Sequence, residues 1–208
     1  MIGGFKAAVD GFRRRLSLVL TYSGKSGAVR RYFFSNSFDG VLAMMGLTLG
    51  ASIVPATQVS TVVFAGLGMS IAMLVSGVSG IYLTESAETK RLMKELRDSM
   101  LRDVSDTVIG RAGFLGTLIT ALVGGLSTFV LSLAVLSPYV VSVFHAALKP
   151  AAPYLSAAVG FILLFVLGVF MGRFSKADVI KSGVRMAGLG VAAVLLILLL
   201  EFFVGSAG

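Results

Sequence analysis

The chain has 208 residues, 56% of them hydrophobic and only 13% charged, with a mean hydropathy of +0.94. A soluble domain carries about 25% charged residues, so this chain falls in the membrane class, and having no cysteine excludes disulfides, thiolate metal sites and thiol catalysis. Its net charge of +8 lies along the borders of apolar runs, a pattern of membrane topology and lipid headgroup contact rather than of nucleic-acid binding.

Residues 1–34 form a basic N-terminal segment, with seven Lys and Arg against one acid, Asp10. Arg13, Arg14 and Arg15 precede only Leu16–Tyr22 before polarity returns. That run is too short for a span and a poor signal core, so no cleaved leader is expected. Phe5, Phe12, Leu16 and Leu20 are mixed with the basic residues. An interfacial helix and a solvated basic tail both fit.

From residue 35 to 208 the pattern predicts a five-span transmembrane domain. A span needs about 20 apolar residues. Five are read: Phe38–Ala56, Thr61–Leu83, Gly113–Tyr139, Ala152–Gly172 and Val184–Val204. The short Pro55–Ser60 connection makes the first two an antiparallel hairpin. Basic residues crowd the N-terminal segment, Thr84–Arg111 and Arg173–Gly183, whereas the other side offers only Lys149. The fold class is therefore an all-α membrane protein with its N-terminus cytoplasmic and its C-terminus outside. Gly46 and Gly50, Gly168 and Gly172, and Ala72, Ser76 and Gly80 recur at four-residue spacing, the spacing that lets helices approach closely in lipid.

Asp39 opens the first span. Ala43, Gly46 and Gly50 share its helical face, so its carboxylate belongs to a small-residue stripe. An acid in a bilayer is costly and is kept for function or for pairing. Two roles remain open for it: a metal- or proton-carrying acid turned into the bundle or toward a dimer partner, and an N-cap of the helix start.

The second span runs on into a charged cytoplasmic helical segment, residues 84–111. At about 100° per residue, Glu85, Glu88, Glu95, Asp103 and Asp106 share an arc of about 80°. Lys90, Lys94 and Arg97 fall opposite, and Met93, Leu96 and Met100 beside the acids. Like charges one turn apart destabilise a helix by roughly 0.2–0.5 kcal/mol per pair, which a bound cation relieves. Carboxylates suit Mg²⁺, Ca²⁺, Mn²⁺ and Fe²⁺. A solvated face salt-bridged to a neighbouring helix fits the same pattern.

Other chemistry is thin. Serines in the spans have no His or Lys base, so nucleophilic catalysis has no support and no enzyme is expected. No phosphate-binding glycine loop is present. A lone histidine, His145, makes a multi-histidine cage impossible. Met44, Met45, Met69 and Met73 fit either a soft path or packing.

The run NSFDGVLAMMGLTLGAS resembles the first span of the vacuolar iron transporter family, with its Asp-Gly after small polar residues. SGVSGIYLTESAE resembles that family's second-span ending, and LFVLGVFMGRFSKADVIKSGVRMAGLGVAA its last two spans. The resemblance covers most of Ser35 to Gly205. It implies a five-helix bundle that dimerises and exports Fe²⁺, and often Mn²⁺, in exchange for protons, with no tightly bound cofactor. Asp39 matches the family's first-span acid on the ion path. Glu85, Glu88 and Glu95 match in kind the glutamates of its cytoplasmic metal-collecting helices. Two positions depart: Gly77 and Ile81 stand where the family has a path methionine and glutamate, and Glu85 follows one turn after Ile81. The segment after span two is also shorter than in plant members. The expected function is thus a homodimeric divalent-metal exporter of a prokaryotic plasma membrane, with Asp39, Glu85, Glu88, Glu95, Asp103 and Asp106 as metal-binding residues. The rival is a non-transporting membrane scaffold that docks a partner through the charged helix.

Overall fold

The computed structural model describes residues 18–54, 57–100 and 107–205, with side chains to residue 199. All its regular structure is helical. The helices are α1 (Ser26–Ile53), α2 (Val59–Met100), α3 (Val108–Phe144), α4 (Ala152–Phe174) and α5 (Val179–Gly205), with a 3₁₀ turn at Ala146–Leu148. Residues 18–22 are also helical. Four helices, α2 to α5, are long and apolar enough to cross a membrane, which marks a multi-pass membrane protein. α1 is not among them. Its polar first turns from Ser26 to Asn36 leave an apolar stretch only from Gly40 to Ile53. That is shorter than the roughly 20 residues of a span.

Helix boundaries differ from the sequence expectation where polarity and helicity part company. α1 begins at Ser26, inside the segment read as a basic N-terminus. No glycine run or proline interrupts Ser26–Asn36, so the backbone stays helical although its side chains are polar. α2 continues through the charged segment to Met100, as expected, and α3 resumes at Val108. Residues 1–17 and 101–106 lie outside the described residues, as does the question of an interfacial helix.

The chain divides into two compact units. The first comprises Met1–Phe33 and Ser76–Gly125. Here Gly24, in the left-handed backbone region at φ +68°, turns the chain between residues 18–22 and α1. Ser23 and Lys25, on either side of it, lie against Gly116 of α3. A Cβ there would stand 2.5 Å from Ser23 Oγ and 3.2 Å from Lys25 Cδ. Gly113, one turn earlier, receives Thr89 and Met93 of α2.

The second unit, Phe34–Val75 and Leu126–Gly208, is held by close approaches and buried hydrogen bonds. Lipid supplies no hydrophobic drive between helices, so small residues and polar links carry the packing. Gly40 of α1 lies against the Thr128 backbone of α3, and Thr128 Oγ1 donates to Asn36 O at 3.0 Å. Ser132 Oγ donates to Ser70 Oγ of α2 at 2.9 Å, and Tyr139 OH to Thr48 O of α1 at 2.9 Å. Ser156 of α4 donates to Val135 O of α3. Met45 fills the gap over Gly160. Pro138 lacks the N–H that Ala134 O would accept inside α3. The Ser137 hydroxyl donates to that carbonyl instead, at 2.7 Å.

α4 and α5 form a tight hairpin. A Cβ on Gly168 would stand 2.6 Å from Ser182 O and 2.8 Å from Gly183 Cα, and one on Gly172 2.8 Å from Ser182 Cβ. The turn closes α4 with Ala177 N–H donating to Gly172 O at 3.0 Å, a Schellman arrangement that places Lys176 at φ +53°.

Candidate functional site

Asp39 sits in the middle of α1, well past its first turn at Ser26, so the N-cap role is overturned. The inner face of α1 buries Ser37, Gly40, Val41, Met44, Met45 and Thr48. Asp39 lies on the opposite face, exposed, in register with exposed Ala43 and with Gly46 and Gly50. A Cβ on either glycine would meet nothing within 4 Å. The carboxylate therefore points away from its own bundle. The two Gly-x-x-x-Gly pairs differ in the same way: Gly168 and Gly172 are used inside the chain, whereas Gly46 and Gly50 meet no neighbour among the described residues. Ala72, Ser76 and Gly80 of α2 are likewise exposed.

Glu85 behaves differently. It is 6% exposed, on the packed face of α2 that also buries Ile81 one turn before it. Its Oε2 accepts from Lys25 Nζ at 2.6 Å, and Arg31 Nη2 stands 3.7 Å from its Oε1. Lys25 Nζ also donates to Glu85 O at 3.3 Å. That carbonyl further accepts from Thr89 Oγ1 at 2.7 Å and from Thr117 Oγ1 at 3.5 Å, and the two hydroxyls are 3.0 Å apart. Lys25, Glu85, Thr89 and Thr117 thus make one polar cluster, closed by Ser23 at the Gly116 notch. Lys25 is a residue that sequence reasoning missed. It lies 60 positions from Glu85, and no periodicity links the two.

The remaining stripe does not gather at one point. Glu88 is exposed, and Glu95 is exposed and accepts from Arg91 Nε at 3.0 Å across one helical turn. Asp103 and Asp106 lie outside the described residues. Among the described residues, no group of three or more His, Cys, Asp or Glu side chains is placed to hold a metal ion. What the structure assembles is a single buried carboxylate, a backbone carbonyl and hydroxyls, which is the hard-oxygen donor chemistry of divalent cations. Two basic side chains face that carboxylate. Met44 and Met45 are fully buried, Met45 as packing over Gly160.

No family model matches the chain. It is similar to the uncharacterized protein MJ0645 of Methanocaldococcus jannaschii, at 30% identity over 188 residues, covering 89% of this chain and 94% of the archaeal one.

Proposed function

We propose that this chain, which belongs to one family with that archaeal protein, is a homodimeric exporter of Fe²⁺ or Mn²⁺, of the vacuolar iron transporter type and coupled to protons, a reading that rests on the resemblance of its own spans and acids. In this proposal α1 crosses the bilayer beside α2 to α5, giving five spans with a cytoplasmic N-terminus, in keeping with the basic loops. The membrane is a prokaryotic plasma membrane. Asp39 carries the ion or the proton, and the acids of α2 collect cations at the cytoplasmic mouth.

The observation that supports this best is the open face of α1. An acid there, flanked by Gly46 and Gly50 with room for another backbone, is costly against lipid. It is readily accommodated against a second copy, where two carboxylates meet and a divalent cation neutralises both. The test is metal flux into proteoliposomes holding a metal-sensitive dye. The parent chain should pass Mn²⁺ and Fe²⁺, and Asp39→Ala should lose that flux. Equal flux removes Asp39 from the mechanism.

The exposed charges of α2, among them Glu88, Lys90, Lys94 and Arg97, favour the second reading, a scaffold that docks a cytoplasmic partner. A scaffold shows no thermal shift with Mn²⁺, Fe²⁺, Ca²⁺ or Mg²⁺, whereas an exporter does.

A further inference from the structure

Lys25 is the one buried lysine among the described residues, and its ammonium meets two oxygens of Glu85. The carboxylate and carbonyl of Glu85 take two of its protons, and the hydroxyls of Thr89 and Thr117 cluster on the same carbonyl. Gly116 leaves the room that the lysine stem needs. Stability alone gives a weak reason for such a pair, because desolvating two charges offsets most of their attraction. A lysine is, however, a compact monovalent cation on a flexible stem. It stands in the turn after Gly24 and before α1, so its side chain can leave Glu85 without unwinding a helix. Arg31, mostly exposed and 3.7 Å from the other carboxylate oxygen, is a second basic group on the rim.

We propose that Lys25 is a tethered occupant of a cation site built on Glu85, and that a divalent metal ion and the Lys25 ammonium compete for that carboxylate. Metal then enters only as Lys25 swings out, and the lysine returns when the ion moves on, so the carboxylate never stands buried and uncompensated. The proposal rests on the divalent-cation reading given above and adds to it the residue that holds the site shut.

The chain has no cysteine, so Lys25→Cys creates a unique thiol. Alkylation with 2-bromoethylamine then restores an ammonium at close to lysine length. Equilibrium binding of Mn²⁺ to the full chain in detergent is the readout. Removing a charge-assisted competitor should tighten Mn²⁺ binding on the order of tenfold or more in Lys25→Cys. Aminoethylation should return it to the parent's affinity, and adding Glu85→Gln should abolish the gain. A merely structural lysine moves the other way: Lys25→Cys weakens binding and stability together, and aminoethylation restores both. Parental affinity in Lys25→Cys, where the parent binds Mn²⁺, overturns the competition and leaves the exporter standing. No Mn²⁺ binding in the parent or any variant overturns both. Should Lys25→Cys fail to fold, the parent itself decides. Saturating Mn²⁺ should raise acetylation of Lys25 by an amine-reactive ester, read by mass spectrometry, and unchanged labelling overturns the proposal.

Discussion

The two Gly-x-x-x-Gly pairs make opposite forecasts for the same chemical change, a methyl group added to a helical glycine. At Gly168 the new Cβ stands 2.6 Å from Ser182 O, against the 3.4 Å at which ordinary contact begins, so about 0.8 Å must be found. The obstacles are backbone atoms of α5, which have no rotamer to change. The hairpin must open, at the upper end of the roughly 1–3 kcal/mol cost of overpacking. Alanine's helix propensity returns about 1 kcal/mol. Gly168→Ala should therefore lose about 1–2 kcal/mol net. By the scaling for chains of this size, that lowers the melting temperature by about 2–8 °C. Gly46→Ala meets nothing within 4 Å and should keep the propensity gain, about 0.5–1 kcal/mol, in the monomer. Circular dichroism melts of both variants in a monomerising detergent measure the difference. A Gly168→Ala chain that melts at or above the parent temperature refutes the packing.

Lys176 occupies the left-handed position that closes α4, at a cost of about 1–2 kcal/mol for a non-glycine residue; Lys176→Gly should raise the melting temperature by about 2–8 °C, and a lower one contradicts the Schellman turn. Ser137→Ala strips the donor from Ala134 O beside Pro138, and should cost about 0.5–1.5 kcal/mol, the net worth of one hydrogen bond, measured by the same melt. Gly46→Leu with Gly50→Leu should convert a dimer in mild detergent to monomer by sedimentation equilibrium, because the face that would receive a second backbone is then filled.

Long apolar runs made α2 to α5 legible, since lipid burial and helicity demand the same residues there. α1 was half legible. Hydropathy marks Val41 to Ile53 but is silent on Ser26 to Asn36, where helicity depends on backbone preference and not on burial. The wheel put Glu85, Glu88 and Glu95 on one arc, yet α2 packs along a narrower line through Ile81 and Glu85. A shift of only about 60–80° from that line leaves Glu88 and Glu95 in the open. The Lys25 contact was out of reach for another reason: it is set by how α1 and α3 meet α2, and side-chain pairs of that range leave no repeat in the chain. Spacing likewise equated the two glycine pairs, although one has its partner helix within the same chain and the other has none among the described residues.

The separation between Lys25 and Glu85 also sets a timetable for synthesis. At about 5–20 residues per second, a ribosome finishes the carboxylate roughly 3–12 s after the ammonium. Through that interval the nascent chain carries a lysine with no Glu85 to receive it. The notch at Gly116 is made later still. The turn at Gly24 can thus take its final place only after Gly116 of α3 has been translated.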